Sequence, residues 1–275
     1  MPIRPFFNHH IKYFNMNTIL PIINIEGLEV LVFENRKIMG EAAAKDVAAC
    51  ILSLLAKKTE LNIIFAAAPS QNDFLEALLQ LDLPWGKVNA FHMDEYVGLP
   101  ADAPQAFGNF LRKRIFGQVS FKSVHYLNGS AASPASECDR YADLLTKYPV
   151  DMVCMGIGEN GHVAFNDPPV ADFNDPLLVK EVRLDAMCRQ QQVNDGCFPV
   201  LNEVPEEALT LTVPALMSAA FIFAIVPGTT KAAAVKNTLL GPVEESCPAS
   251  ILQQHKHARL YLDLQSFSSS GAVLS

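Results

Sequence analysis

Residues 62–79 read NIIFAAAPSQNDFLEALL, and this stretch decides the fold. After Asn62 the run is continuously apolar to Ala68, the pattern of a strand buried on both faces. Pro69 and Ser70 end it, and Phe74, Leu75, Leu78 and Leu79 then recur at helical spacing. Strand turning directly into helix is the first half of a βαβ unit. Working outward, comparable short runs lie at 87–93, 151–155, 220–226 and 259–264. Helical patterns alternate with them: Val47, Ile51, Leu54 and Leu55; Tyr141, Leu144 and Leu145; and Ala232–Leu240. The alternation predicts an α/β fold, a doubly wound, mostly parallel sheet flanked by helices in one Rossmann-like sandwich domain. That domain is assigned to residues 23–275, with 1–22 as an N-terminal extension. No internal repeat or low-complexity linker divides it.

The chain has 275 residues, half of them hydrophobic and 18% charged, the composition of an ordinary globular protein. Its formal charge of −8 gives a nucleic-acid partner no electrostatic footprint. An acidic protein that binds an anion must use a local device, such as a helix N-terminus or one well-placed lysine. The cysteines, at 50, 138, 154, 188, 197 and 247, form no CxxC pair, so they read as reduced thiols in a cytoplasmic protein. The first 17 residues hold no apolar core of a secretory signal. Residues 213–226 fall short of the ~20 a membrane span needs and read as a buried strand with its lead-in. The expected partner is a small molecule, neither nucleic acid nor membrane, and a homo-oligomer is left open.

Ligands of doubly wound sheets gather at the carboxyl ends of the strands, so the loops there are where chemistry is sought. Four stand out. In residues 66–71, Ser70 and Asp73 fit a capping box, or else the free amides of the turn form an anion site around Ala68, Ser70 and Gln71. Next, Asp94 and Glu95 follow an apolar run. On a continuing strand they point to opposite sides, one towards the crevice and one towards a structural partner; alternatively they cap the following turn. In the third loop Gly156, Gly158 and Gly161 spell G-x-G-x-x-G, but Pro168 and Pro169 block the helix that a dinucleotide fingerprint requires. These glycines instead let backbone approach a ligand, with Gly158 and Gly161 as contacts. They place His162 at a strand end, with Asp167 as the carboxylate that would orient it. Finally, Lys231 opens a helix, where the dipole is unfavourable to a cation unless an anion sits beside it; otherwise it is a solvated lysine on a turn. No HxH or CxxC spacing suggests a metal.

At this point the chain resembles the glucosamine-6-phosphate deaminase (isomerase) family. The resemblance is carried by residues 93–99 (MDEYVGL), Gly156-Ile157-Gly158 with Asn160-Gly161-His162, residues 163–168 (VAFNDP), Leu127-Asn128-Gly129, residues 208–214 and the turn 228–231. It runs from about residue 27 to 265. The sister 6-phosphogluconolactonases typically carry DER where this chain has Asp94-Glu95-Tyr96, and a SLFPG-like run in place of residues 164–168. The resemblance implies release of ammonia from glucosamine 6-phosphate by aldose–ketose isomerisation, without metal or redox cofactor. A lactonase-like hydrolase and a non-catalytic sugar-phosphate sensor are the alternatives. It further implies Asp94 as the base at C2, His162 as the group that assists ring opening, and Asp167 as its orienting partner, with Asn160 where many members have aspartate. Lys231 and the 66–71 loop would bind phosphate, beside Glu95. Two departures stand out: the loop lacks the usual glycine, threonine and serine, and the usual phosphate-clamping arginine falls at Asn194, leaving nearby Arg189 as a substitute.

Overall fold

A computed structural model describes residues 20, 22–168 and 170–270. Apart from residues 20 and 22, the extension assigned to 1–22 lies outside the described residues, as does Pro169. In chain order the strands are β1 (Ile23–Ile25), β2 (Leu28–Phe33), β3 (Leu61–Phe65), β4 (Val88–His92), β5 (Asp94–Tyr96), β6 (Ser123–His125), β7 (Met152–Met155), β8 (Val179–Arg183), β9 (Glu207–Leu211), β10 (Phe221–Val226) and β11 (Ala258–Asp263). Eight of them make one sheet in the order β1-β2-β11-β10-β7-β3-β4-β6. Only β1 runs antiparallel to its neighbour, joined to β2 by a tight turn.

The helices that matter to the site are α1 (Arg36–Leu55), α2 (Asn72–Leu79), α3 (Phe107–Leu111), α4 (Pro134–Lys147), α5 (Ala186–Asn194), α6 (Val213–Met217) and α7 (Ala232–Leu240). Strand residues alternate between two buried faces. Ile63 and Phe65 pack with Met39, Val47 and Phe74 of α1 and α2, whereas Ile64 packs with Tyr141, Leu145 and Val235 of α4 and α7. Both faces of β3 are therefore dry, which is why residues 63–68 read as an unbroken apolar run. The expected doubly wound, single-domain sandwich is what the chain forms.

Some local readings are corrected. Ser70 does not form a capping box with Asp73: residues 69–71 make a 3₁₀ turn, α2 starts without a side-chain cap, and Asp73 pairs instead with Arg36. The stretch 213–226 is not strand throughout, because Thr212 caps the short helix α6 before β10 begins. The composition-level reading also missed a second, three-stranded antiparallel sheet, β5-β9-β8. Its first strand starts one residue after β4 ends, so the chain crosses from one sheet to the other at Met93.

Winding reverses between β7 and β3: β3, β4 and β6 proceed to one side, β7, β10 and β11 to the other. The crevice at such a switch point is where a doubly wound sheet opens to a ligand.

Candidate active site

A cleft of about 360 Å³ opens at that switch point, lined by the loops after β3, β7 and β10 and by the start of β5. Asp94 stands on its wall, 7% exposed, at the first position of β5 opposite Thr210. Burial, reinforced by the like charge of Glu95, pushes the Asp94 carboxyl well above the ordinary aspartate range. Its backbone is held by His92, a residue that no sequence argument had singled out. The His92 ring accepts the Leu127 amide at Nε2 (2.9 Å), so Nδ1 carries the proton and donates to the Asp94 carbonyl (2.9 Å). The ring is fully buried and neutral, its pKa lowered to about 4 by burial.

Glu95 points the other way. Its carboxylate accepts the amides of Tyr96 (3.0 Å), Phe107 (2.9 Å) and Gly108 (2.8 Å), and it does not line the cleft. The reading of Glu95 as a substrate contact is therefore corrected: it anchors the start of α3. The alternation of a short strand separates the two acids, one into the crevice and one into structure.

His162 lies beneath Gly158 on the loop after β7. Its Nδ1 is 2.8 Å from Asn160 Oδ1 and 2.9 Å from Asp167 Oδ1, and Asn160 Nδ2 donates to the same Asp167 oxygen at 2.9 Å. Both oxygens facing Nδ1 are acceptors, so the ring proton resides there and Nε2 is left as the proton-accepting atom. Burial works to raise the Asp167 carboxyl, but the hydrogen bond and charge of His162, with Asn160 and Cys188, carry it below its usual value. Asn160 and Asp167 lie behind the imidazole and do not line the cleft. A Cβ at Gly158 would come within 2.2 Å of the imidazole, so only glycine admits the ring in this position. Gly161 does not reach the cleft either. Its φ of +85° turns the loop, and a Cβ there would meet Cys247 Sγ at 2.8 Å. The loop continues without helix past Gly161, as the prolines require. The fold also brings Cys188 beside this dyad: ligand atoms of His162, Asp167 and Cys188 lie within 4.8 Å of one another, a juxtaposition that sequence spacing could not show.

The far end of the cleft is formed by Ala66–Ser70 on one wall and Thr229–Lys231 on the other. Ala68 and Ser70 line it. Gln71 does not: its amide is used by Ala68 O (2.9 Å), and its buried side chain donates to Ile225 O (3.0 Å), tying the loop to β10. Lys231 is 6% exposed and lines the cleft. Burial lowers its pKa, against the opposing pull of Asp195 and Glu159. Arg189 is not a substitute clamp. Its Nη2 donates to the carbonyls of Leu201 (3.0 Å) and Val204 (2.8 Å), away from the cleft, and Asn194 is exposed on α5. Sequence reasoning missed the Arg36, Gln191, Gln192 and Asp195 side chains, which do line it. No motif marks them, because the first stands at the start of α1 and the others on or just after α5.

The family model described as glucosamine-6-phosphate isomerases/6-phosphogluconolactonase matches residues 34–262. A glucosamine-6-phosphate deaminase of Streptococcus equi subsp. zooepidemicus is 33% identical over 190 residues, covering 69% of this chain and 79% of that protein. Its counterpart from Listeria welshimeri is 34% identical over 210 residues, covering 76% and 88%. Among solved structures, a monomeric glucosamine-6-phosphate deaminase superposes with a TM-score of 0.81 at 27% identity, over 87% of this chain and 99% of that one. A 6-phosphogluconolactonase from Thermotoga maritima shares the fold, with a TM-score of 0.70 at 18% identity over 85% and 98%.

Proposed function

Because the chain belongs to the glucosamine-6-phosphate isomerase/6-phosphogluconolactonase family, we propose that it is an amino-sugar phosphate deaminase, converting glucosamine 6-phosphate and water to fructose 6-phosphate and ammonia. The observation that carries this reading is one cleft holding a buried carboxyl, Asp94, and an imidazole of fixed tautomer, His162.

The chemistry follows from those two groups. His162 Nε2 takes the proton of the C1 hydroxyl as the C1–O5 bond breaks and returns it to O5, opening the ring. Positive charge that develops on the imidazole is met by Asp167 at Nδ1. The Asp94 carboxylate then removes the C2 proton beside the new carbonyl while a proton of the C2 ammonium passes to O1, giving a neutral enolamine. Delivery of the C2 proton to C1 leaves a protonated imine at C2, which water hydrolyses to the ketose and ammonia. None of these proton transfers needs a redox partner. Among the described residues no helix is long and apolar enough to cross a membrane. The reading of a cytoplasmic setting rests on the six cysteines, all free thiols and five of them buried, which suit a reducing compartment.

The deciding experiment assays ammonia and ketose release from glucosamine 6-phosphate, galactosamine 6-phosphate and the unphosphorylated amino sugars. Ammonia from a phosphorylated substrate is the expected result. Hydrolysis of 6-phosphogluconolactone without ammonia release from any amino sugar overturns the reading in favour of a lactonase.

A further inference from the structure

Four ordinary ionic side chains line the cleft besides His162: Arg36, Asp94, Asp195 and Lys231. At the far end Asp195 offsets Lys231 and Asp73 offsets Arg36, so a bound anion depends on the N–H groups that these two cations leave open. Arg36 opens α1 behind the Asn35 cap, and α1 packs on α2, which sets its side chain against the 66–71 loop. Nε donates to Asp73 Oδ2 at 2.6 Å and Nη2 to Pro69 O at 3.3 Å. A guanidinium has five N–H groups, and those two contacts leave Nη1 and one Nη2 hydrogen without a partner among the described residues. The side chain is 49% exposed, so the open edge is solvated and ready for exchange.

We propose that Arg36 is a specificity-determining residue: the open edge of its guanidinium takes the phosphate of the sugar phosphate, across the cleft from Lys231. The inference rests on the reading of the substrate given above and adds the group that selects its anionic end. The planar fork suits two phosphate oxygens at once, which a lone ammonium does not. Asp73 and Pro69 hold the fork in register with the loop wall, so its geometry is set before substrate arrives. Arg36 also makes up for Gln71, whose amide is used within its own turn. With a chain charge of −8, a dianion that meets only Lys231 and Asp195 gains little.

The test is titration with inorganic phosphate, followed by calorimetry, in the wild type, Arg36→Met, Arg36→Lys and Asp73→Asn, alongside kinetics on glucosamine 6-phosphate. Arg36→Met should weaken phosphate binding by about ten- to a hundredfold and raise KM by a similar factor with kcat retained, the worth of one charge-assisted contact. Arg36→Lys should recover part of the loss. Asp73→Asn, which removes the charge of the surface ion pair but keeps the guanidinium and a side-chain oxygen to accept from Nε, should bind phosphate nearly as the wild type does. Unchanged phosphate binding in Arg36→Met overturns the proposal. So does an equal loss in Asp73→Asn, which would make Arg36 a strut of the loop and nothing more. Because phosphate binding is read without turnover, a wild type that binds phosphate through Arg36 but releases no ammonia would refute the deaminase reading and leave this one standing.

Discussion

As the proposed base at C2, Asp94 would serve activity at the expense of stability. Its folded-state pKa lies above the unfolded value, so the folded chain holds this proton more tightly. Stability linked to it is therefore full below the unfolded pKa and falls as pH rises towards the folded one. Asp94→Asn should consequently lower turnover by ~10²–10⁴ and abolish C2 deuterium exchange, while raising the neutral-pH melting temperature. Undiminished exchange would remove Asp94 from the mechanism. In the wild type, the acid limb of kcat/KM should lie above the ordinary aspartate range, since the base must be ionised. Gly158→Ala is the sharpest steric test. The added methyl meets the His162 ring at 2.2 Å, so kcat should fall by about a hundredfold with the fold intact. Activity near wild type in that variant would mean that the ring can be displaced without harm. Asp94, His162 and Lys231 were legible as residue types at strand ends, since apolar runs ending in ionic groups locate a crevice. Arg36 was not legible, because nothing in its local sequence records that α1 begins beside the loop after β3.

Elements decide which of the legible residues reach the cleft. The three residues of β5 are too few for periodicity to reveal, yet they send Asp94 inward and Glu95 to the α3 amides. Arg189 shows the converse. Its neighbourhood suggested a clamp, but carbonyls of residues 201 and 204 draw its side chain to the other side of α5. The direction of a side chain on a helix follows from what the helix packs against, which is tertiary information. His92 is the hidden support of β5, and its burial predicts an acid-sensitive element. A histidine whose folded pKa of about 4 lies below its unfolded 6.5 contributes stability that is complete above pH ~6.5 and is lost as pH falls towards 4, up to about 3 kcal/mol. Denaturant titrations at pH 7 and pH 4.5 should show that loss in the wild type and a smaller one in His92→Ala. The variant should already be weaker at pH 7, because an unpaired buried amide or carbonyl costs about 1–3 kcal/mol. Equal pH dependence in both proteins would assign acid sensitivity elsewhere.

On the scale of the whole molecule, the strand–helix alternation foretold the sandwich because each of its long strands is dry on both faces. It could not foretell the small sheet, nor the meeting of His162, Asp167 and Cys188. That trio does not imply a metal-dependent reaction. Burial and the neighbouring Asp167 push the Cys188 thiol far up, and His162 Nδ1 already bears a proton between two oxygens. Ammonia release should therefore survive exhaustive chelation; loss on chelation with rescue by one divalent ion would replace the mechanism with a metal-assisted one. The strand order has its own consequence. β11, the last strand, is inserted between β2 and β10, and the Arg259–Glu29 ion pair bridges 230 residues of chain. Contacts of such long range form late and slowly. A nascent polypeptide can thus raise β3, β4 and their helices while still on the ribosome, but β2 waits beside an open slot until residues 258–263 clear the exit tunnel. Chains arrested short of that point should be cut readily by protease near β2, whereas released chains should resist.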